Sequence, residues 1–561
     1  VQLEIESGVL RIRTAYADKD RCAAVPGGRW APSKKAWEYL LSPATAAAVI
    51  ETFGSKVPSD KIPLLREMNG RFIRAKMFRE GSVEPLVPRG VKQPWDHQKV
   101  AYSIVREIFD FDHQYGGGSL MALDMGTGKS RVGVDIVTNH ADHIRKTLIV
   151  CPHSVIDVWP KEFAKHALPQ DLRNILIAPI TMKHNLEKKT RYAHQMLQQA
   201  EALKRQFVCV INYESAWREP FASWSQEMGF DLVIGDELHR VKAASGRASK
   251  YFARLAYHTR YRLGLTGTPL PHSVLDIYGQ YRHLDPGIFG TSYTKFRSDY
   301  AVMGGFQNHQ VMSFKNLDRL HDKMYLIAYR VMSDDVFDLP DKIDVERNAD
   351  LNTEEARIYT EMNEQFCVEV DKNLVTADNA LVKLLRLQEI TSGFIDGQPI
   401  GTSKAALLSD VLEDLAVKEP IVIFARFTND LKKIHEVAES QGRRYAELSG
   451  HANDLAKWQD GNADVLGVQI KSGREGVDFT RARYCIYYSL GFSLGDYNQS
   501  RKRIHRPGQT RNCTYIHLVM NKTVDEKVIK ALEKREEVVS SVLQQYREEV
   551  ESGEKRSGSR E

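Results

Sequence analysis

Short apolar runs rich in β-branched residues alternate with helix-compatible stretches along most of this chain, and they do so in two series. The first begins near residue 119 with SLMALDM, KTLIVCP, NILIAPI, FVCVINY, FDLVIGDE and YRLGLTGT. The second begins near Glu419 with PIVIFARF, RYAELSG, ADVLGVQI, RYCIYYSL and CTYIHLVM. A run that is apolar at every position is buried on both faces, and strands separated by helical crossovers pair in parallel. The pattern predicts an α/β chain with two tandem parallel-sheet lobes, at 91–290 and 401–520. At 561 residues the chain has room for about three or four domains.

The remainder divides around these lobes. Residues 1–55 are predicted to be a small α+β module: VLRIRTAY and GRWAPSKKAWEYLL read as strands, the second a hairpin turning at PSKK, and PATAAAVIETF reads as a helix. Pro58, Pro63, Pro85 and Pro88 mark 56–90 as a linker. Residues 291–400 lack strand-like runs, and Leu381, Leu384, Leu385 and Leu387 lie close to one helical face, so this span is predicted to be a helical connector. In 521–549, Thr523 and Glu526 stand at capping-box spacing beside Val524, Val528 and Leu532 on one stripe, which predicts a helix bracing a lobe. The polar end, 550–561, is predicted to be disordered.

No apolar run approaches the roughly 20 residues a membrane span requires, so no membrane partner is expected. Cys22, Cys151, Cys209, Cys367, Cys485 and Cys513 are scattered without a CxxC pair, and VQLEIESGVL lacks the features of a secretory signal. The expected setting is intracellular: the cytoplasm or nucleoid of a bacterium or phage-infected cell, or a eukaryotic nucleus. With 78 basic against 73 acidic residues, the net charge of +5 is too balanced to imply polyanion binding, so any nucleic-acid surface must be local.

ALDMGTGKS, Ala122 to Ser130, follows an apolar strand and precedes the helix-compatible RVGVDIV. That is the context of a phosphate-binding loop. Met125, Gly126, Thr127 and Gly128 shape it, glycines letting backbone N–H groups face a phosphate, while Lys129 can reach the β/γ oxygens and Ser130 can ligate Mg²⁺. The full consensus has glycine six residues before the lysine, where this chain has Leu123. FDLVIGDELHR ends a strand with two carboxylates: Asp236 suits the Mg²⁺ shell and Glu237 suits orienting and deprotonating water. Gln98 in PWDHQ carries an amide able to accept from and donate to adenine, which would select ATP. LTGTP, Thr266 to Pro269, is a loop suited to linking nucleotide and second lobe.

Taken in order, these boxes and HRPGQ make the chain resemble superfamily-two helicase-type ATPases, specifically the SWI/SNF branch of double-stranded DNA translocases. LIVCPHSVIDVWPKEF, LTGTPLPHSVLDIYGQYRHLDPGIFG, RVMSDDVFDLPDK, IVIFARFTNDLKKI and QIKSGREGVDFTRA carry the same resemblance, over roughly residues 90 to 530. It implies two RecA-like lobes clamping ATP and tracking along duplex DNA. It also implies nucleotide contacts at Gly476 and Asp478, and backbone contacts to DNA from His153, Ser154, Arg240, Lys242, Arg247, Ser449, Lys471, Ser472 and Arg474. The N-terminal P..RW...KKAWEYLL resembles the HARP module of annealing helicases, with Trp30 and Trp37 for stacking and Lys34 and Lys35 for phosphates. SLGFSLGDYNQ and the polar KSGREG depart from the family pattern and leave the grip on DNA open.

NQSRKRIHRPGQTR concentrates basic residues. If it is helical up to Pro507, Gln499, Arg503 and Arg506 share one face and Arg501 and His505 the other. The first face matches the family's arginine-finger motif, which makes Gln499, Arg503 and Arg506 catalytic candidates. Three activities stay open: a translocase of the annealing or fork-remodelling kind, a motor that strips proteins from DNA or serves transcription, recombination or restriction, and an ATP-switched clamp that does not move. The expected partners are duplex, forked or junction DNA and a single-strand-binding protein, with the chain acting as a monomer.

Overall fold

Both series of apolar runs fold into parallel sheets, one in each of two units that part between Val336 and Phe337. The computed structural model describes residues 1–6, 8–112, 116–181, 185–305, 310–365, 367–370, 373–376, 380–470 and 477–539, with backbone alone for 367–370, 373–376 and 380–381.

The first unit opens with an antiparallel sheet of β1 (Gln2–Glu6), β2 (Val9–Arg13), β3 (Arg29–Ala31) and β4 (Ala36–Leu40), ordered β1-β2-β4-β3. Strand alternation turns Leu10, Ile12 and Tyr39 onto Val49 and Phe53 of the helix Pro43–Phe53. On the other face Glu38 is 3% exposed and meets Arg11 Nε at 3.0 Å, Arg29 Nη2 at 2.8 Å and Lys34 Nζ at 2.9 Å. The module is docked on the rest of the first unit. Ser42 Oγ donates to Asp285 Oδ1 at 2.9 Å, Arg29 lies 3.9 Å from the ring centre of Tyr257, and Val9 and Leu40 pack on Ala256. The expected linker holds an 18-residue helix, Ile62–Arg79, tied to the next helix, Asp96–Phe109, by the pair Arg74–Glu107 and to Asp110 by Arg71.

The main sheet of this unit comprises β5 (Gly117–Leu123), β6 (Lys146–Cys151), β7 (Ile175–Pro179), β8 (Gln206–Asn212), β9 (Leu232–Asp236) and β10 (Tyr261–Leu265). After a hairpin of β11 (Ala301–Gly304) and β12 (Gln310–Phe314), β13 (Ala328–Val331) joins it. Its order is β13-β5-β10-β9-β6-β8-β7, every pair parallel. All residues of β5, β8, β9 and β10 are buried, as their unbroken apolar runs require.

The second unit begins with β14 (Lys342–Ala349), followed by the small hairpins β15 (Cys367–Val370) with β16 (Asn373–Thr376) and β17 (Phe394–Ile395) with β18 (Gln398–Pro399). Its sheet adds β19 (Ile421–Ala425), β20 (Tyr445–Leu448), β21 (Val465–Gln469), β22 (Tyr484–Tyr487) and β23 (Cys513–Met520), ordered β14-β23-β22-β19-β21-β20 and parallel throughout. The helical-connector expectation is thus corrected: 291–400 contributes an edge strand to each sheet, although Ala380–Thr391 is the helix its leucines predicted. Residues 524–539 are helical, with Val524, Val528 and Leu532 buried; Thr523 Oγ1 accepts from Asp525 N at 3.2 Å and Glu526 Oε1 from Lys522 N at 2.6 Å. Lys404, 1% exposed, pairs with Asp525 at 2.5 Å at the start of that helix. The tail 550–561 lies outside the described residues. Cys22, Cys151, Cys209, Cys485 and Cys513 are buried free thiols. Among the described residues no helix is long and apolar enough to cross a membrane.

Candidate active site

In open parallel sheets ligands bind beyond the carboxyl ends of the strands. β5 ends on Leu123, fully buried, so the position that departs from the loop consensus is the last residue of a strand. Gly126 and Gly128 follow at φ +85° and +82°, where a side chain would be strained. Asp124 pins the turn. Its Oδ1 accepts from Met125 N at 3.0 Å, its carbonyl from Thr127 Oγ1 at 2.7 Å, and its Oδ2 from Ser333 Oγ at 3.2 Å. The helix Lys129–Asn139 starts at the lysine, which sets the loop's N–H groups at a helix N-terminus.

The DELH carboxylates meet this loop. Glu237, at φ +54°, places Oε1 3.7 Å from Lys129 Nζ and Oε2 3.3 Å from both Thr266 Oγ1 and His239 Nδ1. His239 Nδ1 stands 2.9 Å from Thr266 Oγ1, and a Cβ on Gly267 would sit 3.5 Å from both Lys129 Nζ and Met125 N. Phosphate loop, DELH box and TGTP therefore form one site. Burial alone would raise the Glu237 carboxyl, but the Lys129 charge and the His239 hydrogen bond outweigh it and hold the group well below the usual carboxylate range. Asp236 is buried, and Trp159 Nε1 donates to its Oδ2 at 3.2 Å. A serine hydroxyl at 130 and a carboxylate at 236 are hard oxygen donors, the chemistry that Mg²⁺ takes beside phosphate.

Gln98, 3% exposed, already serves the protein with both ends of its amide: Oε1 accepts from Trp95 N at 3.0 Å and Nε2 donates to Thr127 O at 3.1 Å. Both bonds fix the amide against the phosphate loop. His97 Nε2 meets the same Thr127 carbonyl at 2.8 Å. Sequence reasoning singled out neither His97, Trp159, His239, Asp124 nor Ser333. Only His239, two residues beyond Glu237, carried a local signal.

The DNA-contact candidates of the first unit cluster past the ends of β6 and β9. His153 and Ser154 are exposed on the turn after β6; Arg240 is exposed, 3.2 Å from Glu214, and Lys242 is half-buried. Arg247 opens the helix Arg247–Leu255, 5.3 Å from the ring centre of Trp217. In the N-terminal module Trp30 is 50% exposed and Lys34 and Lys35 are exposed. Trp37 is half-buried, packing against the module's core and edge-on to Trp30, the more exposed of the two indoles.

In the second unit the helical reading of the basic run is overturned. The helix is Leu494–Arg501, and i→i−3 bonds from Arg503 N to Ser500 O and Ile504 N to Arg501 O tighten the chain into turns before Pro507. Gln499, half-buried, is on that helix, whereas Arg503 and Arg506 are not. Arg503 is buried, its guanidinium 5.9 Å from the Phe479 ring centre; Arg506 Nε lies 3.9 Å from Asp478 Oδ2. Arg501 pairs with Asp344 through both Nη atoms, one at 2.8 Å, and stacks 4.1 Å from Tyr515, while His505 Nε2 meets Pro340 O at 2.7 Å. Asp478 Oδ1 accepts from Thr480 N at 2.8 Å. Ser449 Oγ is spent on a turn, accepting from His451 N at 3.1 Å and donating to Glu447 at 2.5 Å. Lys471, Ser472, Arg474 and Gly476 lie outside the described residues.

Comparison with known proteins agrees with this assembly of boxes. A relative in Mycoplasma pneumoniae, named an uncharacterized ATP-dependent helicase, is 23% identical over 452 residues, covering 77% of this chain and 40% of that protein. Putative protein p41 of Acyrthosiphon pisum secondary endosymbiont phage 1 is 24% identical over 436 residues, covering 72% and 90%. Human DNA annealing helicase and endonuclease ZRANB3 is 23% identical over 455 residues, covering 78% and 40%. The chain thus spans about two fifths of the length of the first and third of these relatives. The SNF2-related domain family matches residues 95–393 and the helicase conserved C-terminal domain family matches residues 403–508. With the first match covering more than half its length, the chain belongs to the SNF2-related family.

Proposed function

We propose that this chain is a DNA-dependent ATPase that moves along double-stranded DNA and acts on forked or partly single-stranded substrates, as an annealing or fork-remodelling motor. The observation that carries the ATPase reading is the convergence of Lys129, Glu237 and Thr266, drawn from three separated sequence boxes, on one loop at the end of a parallel sheet. Lys129 exchanges Glu237 for the β/γ oxygens of ATP. Glu237, kept ionised by its surroundings, orients the attacking water, and Thr266 and His239 fix the carboxylate's direction. Mg²⁺, held by Ser130 and Asp236, supplies neutralisation of phosphate charge when bound. Arg503 and Arg506 are the arginine fingers of the second unit.

DNA contacts are assigned to the phosphate backbone, since a translocase must ignore sequence. His153, Ser154, Arg240, Lys242 and Arg247 supply them in the first unit. The fork preference rests on the N-terminal module, whose Trp30, Lys34 and Lys35 are exposed for a single strand or junction, and on the likeness to a relative named an annealing helicase. A panel of ATPase rates with single-stranded, duplex and forked DNA and with RNA tests this. Forked and duplex DNA should stimulate most, with the fork advantage lost in Trp30→Ala/Lys35→Glu. Stimulation by RNA alone, or equal fork and duplex rates in both proteins, would contradict it.

A further inference from the structure

We propose that the seam between the N-terminal module and the main sheet of the first unit is a second anion site, built around Arg262 and Thr259, that takes a phosphate group carried by a small molecule or by a strand end. It is separate from the ATP site and does not depend on the ATPase reading.

Gly8 and Leu40 of the module and Phe230, His258, Thr259 and Arg262 of the lobe line a cleft of about 280 Å³. Phe230 precedes β9 and His258 and Thr259 precede β10, so the cleft stands at the amino ends of these strands. The phosphate loop follows the carboxyl end of β5, which runs parallel to β10. The five-residue length of β10, roughly 17 Å, therefore separates the two places. One wall belongs to the module, so docking of the module completes the cleft.

Arg262 is 3% exposed, and its bonds run to uncharged carbonyls: Nε donates to Leu284 O at 3.0 Å and Nη1 to Thr259 O at 2.8 Å, which leaves Nη2 for an anion. Among the described residues it forms no ion pair with a carboxylate. Burial outweighs the attraction of Asp285 and pushes its pKa down to about 10, so the charge persists at neutral pH without a counter-charge of its own. The carboxylate in the cleft wall does not supply one, since Asp231 Oδ2 accepts from Arg145 N and Lys146 N, each at 2.8 Å. Thr259 is 6% exposed, and its hydroxyl has no partner among the described residues. Partial desolvation and the Arg29 charge hold the His258 imidazole below its ordinary value.

A buried guanidinium and an unused hydroxyl in one wall are donors without an acceptor, and a buried donor left unpaired is costly. A phosphate answers both: its charge completes Arg262 and its oxygens accept from the guanidinium and from Thr259, with His258 as a third donor. The volume lies just below the ordinary range of small-molecule pockets, about 300–1,000 Å³, which suits a phosphate or a compact group that carries one.

Calorimetric titration of inorganic phosphate into Lys129→Ala, at constant ionic strength, removes the phosphate loop from the measurement. One phosphate should bind. Thr259→Val added to that protein should weaken it roughly tenfold, the loss of one hydrogen bond to a charged group. His258→Glu, which brings a negative charge to the cleft, should weaken it at least as much. Neither change removes a side-chain hydrogen bond among the described residues, and thermal melts check that all three proteins are folded. No phosphate binding in Lys129→Ala, or equal affinity in the three proteins, would overturn the site. Single-stranded oligonucleotides then identify the source. Displacement of phosphate by a 5′-phosphorylated strand and not by its 5′-hydroxyl twin assigns a strand end, and displacement by neither assigns a small phosphate. Equal displacement by both would mean a track for the DNA backbone and would overturn the pocket.

Discussion

Lys129 stands 3.7 Å from Glu237. On the proposed function a bound phosphate would compete with that carboxylate for the lysine, so both residues should be needed for turnover and not for the grip on DNA. Lys129→Ala and Glu237→Gln should each reduce ATP hydrolysis by at least about a hundredfold, with DNA affinity by fluorescence anisotropy unchanged. The arginines of the basic run separate in the same way. Arg501 is committed to Asp344 and Tyr515 within its own unit, so Arg501→Ala should cost roughly 1–2 kcal/mol in thermal unfolding. Arg506→Ala should leave the melting temperature unchanged and abolish hydrolysis. The reverse pattern would return Arg506 to a structural role. Motif residues such as Lys129 and Glu237 were legible because each sits in a contiguous signature. Their partners were not: the His239–Thr266 contact spans 27 positions and the Ser333–Asp124 bond spans 209, which no local pattern encodes.

At the scale of elements, legibility followed burial. Most of the parallel strands read from sequence are interior strands with apolar runs, and the edge strands β7 and β20 that were also read are at least half buried. β14 was missed because it is an edge strand, largely exposed, in which Lys342, Asp344, Glu346 and Arg347 interrupt the apolar positions. The helix Ile62–Arg79 was hidden by reading Pro63 as a linker residue. It occupies the first turn, where a missing N–H costs nothing. The antiparallel sheet of the module depends on the carboxylate of Glu38. Burial opposes its charge, but Lys34, Arg11 and Arg29 outweigh burial and lower its pKa from 4.5 to about 2. The folded value lies below the unfolded one, so this stabilisation is complete above pH 4.5 and is lost as the pH falls toward 2. Arg29 and Lys34 are half-exposed, which screens the effect to roughly 1–2 kcal/mol. Glu38→Gln should therefore melt lower than the wild type at pH 7, with the two curves converging on acidification; parallel curves would show that Glu38 is not the acid-sensitive group.

For the whole molecule, docking of the N-terminal module changes how its contribution must be measured. Ser42 bonds to Asp285, whose carboxyl burial raises to about 6, and Val9 and Leu40 cover Ala256. Removing residues 1–55 would uncover this seam, so a truncated chain mixes lost stability with lost substrate recognition. Ser42→Ala alone should cost about 1–2 kcal/mol in unfolding, whereas surface changes at Trp30 and Lys35 should leave stability intact and report on DNA alone. Under the proposed function, hydrolysis at Lys129 and Glu237 drives movement along duplex DNA. Displacement of a third strand from a DNA triplex measures that movement directly. The wild type should release the third strand in an ATP-dependent reaction that Lys129→Ala and Glu237→Gln both lose. DNA-stimulated hydrolysis without release, or release undiminished in Lys129→Ala, would contradict it.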